Sequence, residues 1–226
     1  MVRAAFFDLD GTLLTVNSAR LWLLRERRLG RLRLGQVVHA TFMLAQYRLG
    51  LLDMESALRA SLVTLRGQSE EYLRRETRAF WREAVRPFVA PGALAVLARH
   101  RAAGDRLVLL TSSSRYAAEI AGEEFGLDHL LFQHYELRDG RFTGAPLSPI
   151  CYGPGKVAVA EAFARETGVE LGASSFYSDS STDLPMLERV GHPYAVHPDP
   201  RLRRVARSRG WPILDWSGAA GGPRAE

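Results

Sequence analysis

Asp8 and Asp10, two residues apart in DLDGT, follow an apolar run at positions 4–7. In extended backbone, residues two apart project to the same side, so both carboxylates face one way. Gly11 then permits a sharp turn, and Thr12 can tie the loop back to the backbone. Two more apolar runs end in polar residues that could join them: DRLVLLT at Thr111 and SSFYSD at Asp179. Converging carboxylates repel one another unless a cation lies between them, and an all-oxygen donor set suits Mg2+. One further residue type stands out. Of 30 basic residues, 29 are arginine and one, Lys156 in GPGK, is lysine. Arginine carries a wide planar fork of donors, whereas lysine puts a compact charge at the end of a slender stem. Lys156 opens a helix after Gly-Pro-Gly, where backbone N–H groups also favour anions. The combination predicts that Lys156 is the point charge of an acidic, phosphate-handling site.

These residues need elements to hold them. The first strand, 4–7, leads into a helical stretch over 18–81, in which Leu51, Met54, Leu58, Leu62 and Leu65 step by three or four. Asp53 and Ser69 are candidate N-caps there, and Trp22, Phe42, Tyr72, Phe80 and Trp81 read as packing residues. Two prolines in RPFVAPG break the helical texture. Beyond them, helices at 93–103, 115–125, 155–167, 183–189 and 200–209 alternate with strands ending at Thr111 and Asp179 and a strand at 193–196. Residues 131–137 are extended and RDGRFTG is a hairpin turn. This alternation predicts an α/β core with a Rossmann-like parallel sheet covered on both faces. In such sheets ligands bind beyond the carboxyl ends of the strands, where Asp8, Thr111 and Asp179 stand. The division expected is a core of 1–14 and 88–216, an inserted helical segment of 15–87, and a disordered tail of 217–226.

At 226 residues, 46% hydrophobic and 24% charged, the chain has the composition of a globular protein with a sizeable core. Its net charge of +5 gathers in two arginine clusters, Arg25, Arg27, Arg28, Arg31 and Arg33, then Arg201, Arg203, Arg204, Arg207 and Arg209. Such clusters are either an anion-binding surface or solvated helix faces in a chain that uses arginine for nearly every positive charge. The single cysteine, Cys151, cannot form an internal disulfide. The longest apolar stretch, 34–52, contains Gln36, His39, Gln46 and Arg48 and is too polar for a membrane span. A cytoplasmic location is expected.

Four motifs in order, DLDGTLL (8–14), LVLLTSS (107–113), GPGK (153–156) and YSDSSTDLPML (177–187), resemble motifs I to IV of the haloacid dehalogenase superfamily. The insertion between the first two stands where that family carries a type C1 cap, and GHPYAVHPDPRLRRVARSRGWPIL (191–214) is similar to its phosphoserine-phosphatase-like subfamily IB. The resemblance implies a phosphatase acting on a small phosphorylated metabolite as a monomer or homodimer, with no specific nucleic-acid partner. It implies Asp8 as nucleophile, Asp10 as general acid and base, and Thr111, the backbone amides of Ser112 and Ser113, and Lys156 as phosphate ligands. Mg2+ would be held by Asp8, by the backbone carbonyl of Asp10 and by Asp179, with Asp183 assisting directly or through water. Asp183 could also cap the following helix, and the two roles need not exclude each other.

Other readings fail on particular residues. A nucleotide P-loop would need glycine at Ile150 and serine or threonine at Val157. Phosphonatases of the superfamily use a cap lysine, and 15–87 has none; dehalogenases lack the second acid, present here as Asp10. Phosphoserine phosphatases carry a glutamate shortly after motif I, where spacing puts Asn17. Asn17, Ser18, Arg20 and Arg48 are the cap residues that could meet a leaving group. The alternative from a different class is a non-catalytic protein that binds nucleic acid or another polyanion through its arginines, but three converging carboxylates have no purpose in it.

Overall fold

The computed structural model describes residues 1–31 and 65–218 and, between them, Gly35, Phe42, Leu58 and Leu62. The expected cap at Asp53, the residues Arg33 and Arg48, most of the leucine stripe and positions 219–226 lie outside the described residues.

The core is a six-stranded parallel sheet in the order β3–β2–β1–β6–β7–β8. Its members are β1 (Ala4–Phe7), β2 (Arg106–Ser114), β3 (His129–Gln133), β6 (Ser175–Ser178), β7 (His192–Val196) and β8 (Ile213–Leu214). All four residues of β1 are buried, as expected of a central parallel strand covered on both faces. Phe7 points into one layer with Leu97, Leu107, Leu109, Phe125, Tyr177 and Trp216. Phe6 points into the other with Val108, Leu110, Phe163, Phe176, Met186 and Leu202. Helices α3 (Pro91–Ala102) and α4 (Arg115–Phe125) cover the first layer; α5 (Pro154–Thr167), α6 (Leu184–Arg189) and α7 (Pro200–Arg209) cover the second.

Consecutive strands step from β1 to β2 to β3 in one direction, and the chain then returns to place β6 on the other side of β1. That reversal opens the crevice between the carboxyl ends of β1 and β6 where doubly wound sheets bind ligands. Between β1 and β2 lie α1 (Ser18–Arg28) and α2 (Glu70–Phe80). A widened π turn at Trp81–Val85 and a 3-10 turn at Arg86–Phe88 return the chain to the core. Asn17 and Ser69 cap the two helices by accepting from the amides of Arg20 and Tyr72. Glu26 and Glu76 pair with Arg25 and Arg31 and tie α1 to α2.

The structure differs from expectation in three places. β2 continues past Thr111 to Ser114, because its pairing with β3 slips in register between Leu110 and Ser114 and the strand bends there without ending. The extended stretch 131–137 is two strands: β3 in the sheet, and β4 (Tyr135–Arg138) paired with β5 (Arg141–Pro146) around Asp139 and Gly140. Both turn residues have positive φ, 50° and 70°, as a tight hairpin demands. β8, only two residues long, carries no periodicity that could announce it.

Candidate active site

The site forms where β1, β2, β6 and the start of α5 meet. Asp8 follows β1 directly, and its amide donates to the carbonyl of Tyr177 on β6 at 3.0 Å. The turn after it is closed by Gly11, at φ 77°. Thr12 does not tie this turn to the backbone through its hydroxyl; the hydroxyl donates to Asp179 Oδ1 at 3.5 Å. Across the crevice, Asp179 follows β6 and is packed over Gly11 so closely that a Cβ there would lie 2.3 Å from its Oδ2.

Lys156 enters from the first turn of α5. Pro154 is at the helix's first position, where its missing N–H costs nothing. Gly155 approaches the carbonyl of Ile150 so closely that a Cβ would stand 1.8 Å from that oxygen. These residues bring the helix start deep into the crevice. A positive charge is disfavoured at a helix N-terminus, so something else must hold it. The holders are Asp8 and Asp183: Lys156 Nζ donates to Asp8 Oδ1 at 2.9 Å and to Asp183 Oδ2 at 2.7 Å, with Lys156 only 2% exposed. Burial alone would push the ammonium's pKa down; the attraction of Asp183 and Asp8 more than offsets it and keeps the charge on.

Asp183 Oδ2 also accepts from Ser178 Oγ at 2.7 Å, and Ser178 Oγ accepts from the amide of Ser180 at 3.2 Å. The Asp183 side chain makes no capping bond to α6, so the helix-cap reading gives way to a structural bond with Lys156. Ser178 was absent from the sequence reading; the available signal was a hydroxyl at the end of a strand whose other residues are buried.

Asp10 is held at both oxygens. Oδ1 accepts from the amide of Ser18 at 2.8 Å and Oδ2 from the hydroxyl of Ser113 at 3.3 Å. Thr111 is buried at the bend of β2, and its Oγ1 accepts from the Ser113 amide at 3.1 Å. The Ser113 amide, expected to face a phosphoryl oxygen, is engaged in that bond here. Ser112 is exposed at the same bend. Asn17 and Arg20 are exposed, and the Asn17 side chain is occupied as the α1 cap; Ser18 is buried against Asp10.

Four carboxylates and one lysine leave a surplus of three negative charges if all ionise. Burial, against the pull of Lys156 and with the repulsion of Asp183, raises Asp8 to about 7. Burial and then the charges of Asp8 and Asp183 raise Asp179 to about 8. Asp10 is raised by burial and partly relieved by Ser18 and Ser113. A divalent cation among these oxygens would offset two of the three surplus charges. Among the described residues no group of three or more His, Cys, Asp or Glu side chains is arranged to hold a metal ion by itself. Mg2+ does not require such a group, since it takes one or two carboxylates and keeps water or phosphate oxygens in its other positions. Asp8, Asp179 and the Asp10 carbonyl therefore fit Mg2+ in number and chemistry.

A family profile described as haloacid dehalogenase-like hydrolase matches residues 5–188. The chain belongs to this family. It is accordingly a hydrolase, and motif order, parallel sheet and crevice agree with that membership. Among its relatives, a protein named histidinol-phosphatase from Neisseria meningitidis is 31% identical over 222 residues, spanning 96% of this chain and all of that protein. A Bordetella pertussis protein of unknown function superposes with a TM-score of 0.85 at 34% identity, covering 94% of this chain and 98% of that one. A phosphoserine phosphatase solved as a phospho-aspartyl intermediate analogue shares the fold, with a TM-score of 0.67 at 18% identity over 96% of this chain and 94% of its own. No helix among the described residues is long and apolar enough to cross a membrane.

Proposed function

We propose that the chain is a Mg2+-dependent phosphatase that hydrolyses a small phosphomonoester through an aspartyl-phosphate on Asp8. The observation that carries the reading is the buried Lys156 bridging Asp8 and Asp183 at 2.9 and 2.7 Å. The bridge fixes Asp8 Oδ1 and leaves Oδ2 to attack phosphorus as the bond to the leaving alkoxide breaks. Asp10 gives that alkoxide a proton and then takes one from the water that cleaves the acyl phosphate, which returns Asp8 as a carboxylate and releases inorganic phosphate. Lys156 offsets charge on Asp8 and the phosphoryl group, and Thr111 and Ser112 border the phosphoryl oxygens. Mg2+, when bound by Asp8, Asp179 and the Asp10 carbonyl, supplies charge neutralisation and orientation of the phosphate. The insertion 15–87 serves as the cap of the enzyme.

Asn17 is uncharged and its side chain caps α1, so a substrate ammonium, whether of phosphoserine or of histidinol phosphate, would have to be met by another residue. The relative named histidinol-phosphatase, matched over its whole length, makes histidinol phosphate the first member of the substrate panel. A polyanion-binding role is disfavoured by the arginines themselves. Arg25 and Arg31 are committed to Glu26 and Glu76, and Arg209 to Glu188 at 2.6 Å.

The test is phosphate release from a panel holding histidinol phosphate, phosphoserine, sugar phosphates and lysophospholipid-type phosphates, with Mg2+ and with EDTA, beside Asp8→Asn. Mg2+-dependent release lost in D8N is the expected result. Release that survives D8N, or no release from any member, counts against the reading.

A further inference from the structure

Asp10 has two unlike neighbours, and the difference assigns its two oxygens to different tasks. Oδ1 faces the backbone amide of Ser18, the first residue of α1, at 2.8 Å, and an amide N–H can only donate. Oδ1 is therefore held as an unprotonated acceptor. Oδ2 faces the Ser113 hydroxyl at 3.3 Å, a rotor that can donate or accept and so tolerates either state of its partner. Ser18 begins the helical insertion, whereas Ser113 stands at the bend of β2 in the sheet. The bend exists because β2 slips register with β3 between Leu110 and Ser114, and Thr111 Oγ1 fixes it by accepting from the Ser113 amide at 3.1 Å.

We propose that Ser18 and Ser113 are the positioning pair of the general acid, Ser18 anchoring Oδ1 and Ser113 steering Oδ2, the oxygen that carries the proton to the leaving group. This rests on the phosphatase reading above. In the first step the Asp10 Oδ2 proton passes to the alkoxide oxygen as the P–O bond to it breaks and the bond from Asp8 to phosphorus forms. In the second step the same oxygen takes a proton from the attacking water. The assignment moves Ser113 from phosphate ligand to acid holder, consistent with an amide that is turned to Thr111 and a hydroxyl that is turned to Asp10.

An acid that is merely misplaced hurts substrates in proportion to how much their leaving group needs the proton. An alkoxide needs it; a p-nitrophenolate does not. The experiment compares kcat/KM, which reports the steps through first phosphoryl transfer, for an alkyl phosphomonoester from the panel and for p-nitrophenyl phosphate. The variants are Ser113→Ala, Ser113→Thr and Ser18→Pro. Proline suits the first position of a helix, and Asn17 before it has φ −92° and ψ 111°, the extended geometry that precedes proline. S18P thus removes the amide donor, together with the Ser18 hydroxyl that also relieves Asp10, from a helix start able to accept it; Ser18→Ala, which keeps the amide, separates the two contributions, and thermal melting checks that each variant is folded.

Loss of a general acid costs about 100-fold or more, so loss of its positioning should lower alkyl-ester kcat/KM by roughly 10- to 100-fold. The aryl ester should fall by less than about threefold, and S113T should recover most of the alkyl-ester loss because it restores the hydroxyl. Equal falls for both esters would overturn the proposal and return Ser113 to the phosphoryl group, and unchanged kcat/KM for both would overturn it too. A wild-type protein that releases phosphate from neither ester defeats the phosphatase reading itself, whereas the other failures occur with an active wild type.

Discussion

The carboxylate of Asp179 occupies the space where a side chain on Gly11 would begin: a Cβ at position 11 would meet Asp179 Oδ2 at 2.3 Å and its Cγ at 2.5 Å. The two residues follow different strands, β1 and β6, so this contact sets how closely the carboxyl ends of those strands can bring their aspartates. It also ties Gly11 to function for a reason beyond its φ of 77°.

Gly11→Ala should therefore keep the fold and lose the site. The left-handed backbone adds about 1–2 kcal/mol of strain, which a domain of this size can absorb. Asp179 must swing away to admit the methyl, and its share of Mg2+ binding goes with it. Calorimetric titration with Mg2+ should show affinity reduced at least tenfold, with turnover falling in parallel. Wild-type Mg2+ affinity in a folded G11A would show that Asp179 is not a ligand.

Lys156→Arg keeps the charge and should still fail. Lys156 is 2% exposed and its ammonium fits between two carboxylate oxygens at 2.9 and 2.7 Å. A guanidinium there must push Asp8 and Asp183 apart, and a displacement of an ångström near the reacting atoms costs on the order of 100-fold. Near-normal turnover in K156R would remove the explanation for the single lysine in the chain.

The sequence showed this lysine and the strand-end aspartates because each sits at a fixed offset from a local signal: an apolar run, a Gly-Pro-Gly, a helix start. β1, β6 and the helices from α3 onward were legible for the same reason, and the parallel sheet followed from their alternation. What was not legible depends on distant residues. The β2 strand passes Thr111 because of pairing with β3. Ser69, readable as a cap, also bridges Arg141 on β5, and the amides of Gly67 and Glu70 donate to the carbonyls of Phe142 and Gly140. Ser18 had no local mark of its bond to Asp10, since being first in a helix does not say which anion its amide will meet.

Asp10→Asn separates two roles within one residue. Its proposed contact with Mg2+ is through the backbone carbonyl, which the substitution keeps, while the acid is lost. Turnover of an alkyl ester should fall by about 100- to 10,000-fold with Mg2+ affinity within about threefold of wild type. Collapse of metal affinity together with turnover would mean that the side chain itself is a ligand.

Asp199 holds the loop that carries Asp179. Its amide donates to the Asp179 carbonyl at 2.8 Å, while Oδ2 accepts from the amide of Ser181 and Oδ1 caps α7 through the amide of Leu202, both at 2.7 Å. Burial pushes its carboxyl pKa up, but the N–H groups of Leu202, Ser181 and Arg201 outweigh it and hold the group below the usual carboxylate value. A carboxyl with a depressed folded-state pKa stabilises the fold fully above its unfolded pKa of about 3.9, and that contribution is lost as pH falls through the lower folded value. Asp199→Ala should then cost about 1–2 kcal/mol at pH 7, mostly the lost cap. That corresponds to a melting temperature lower by roughly 2–8 °C for a chain of this length. The gap between wild type and D199A should narrow below pH 4, while D199N, which still caps α7 but cannot ionise, should show a smaller deficit at pH 7. A gap as wide at pH 3 as at pH 7 would mean that the ionised carboxylate contributes nothing and that Asp199 acts only through shape.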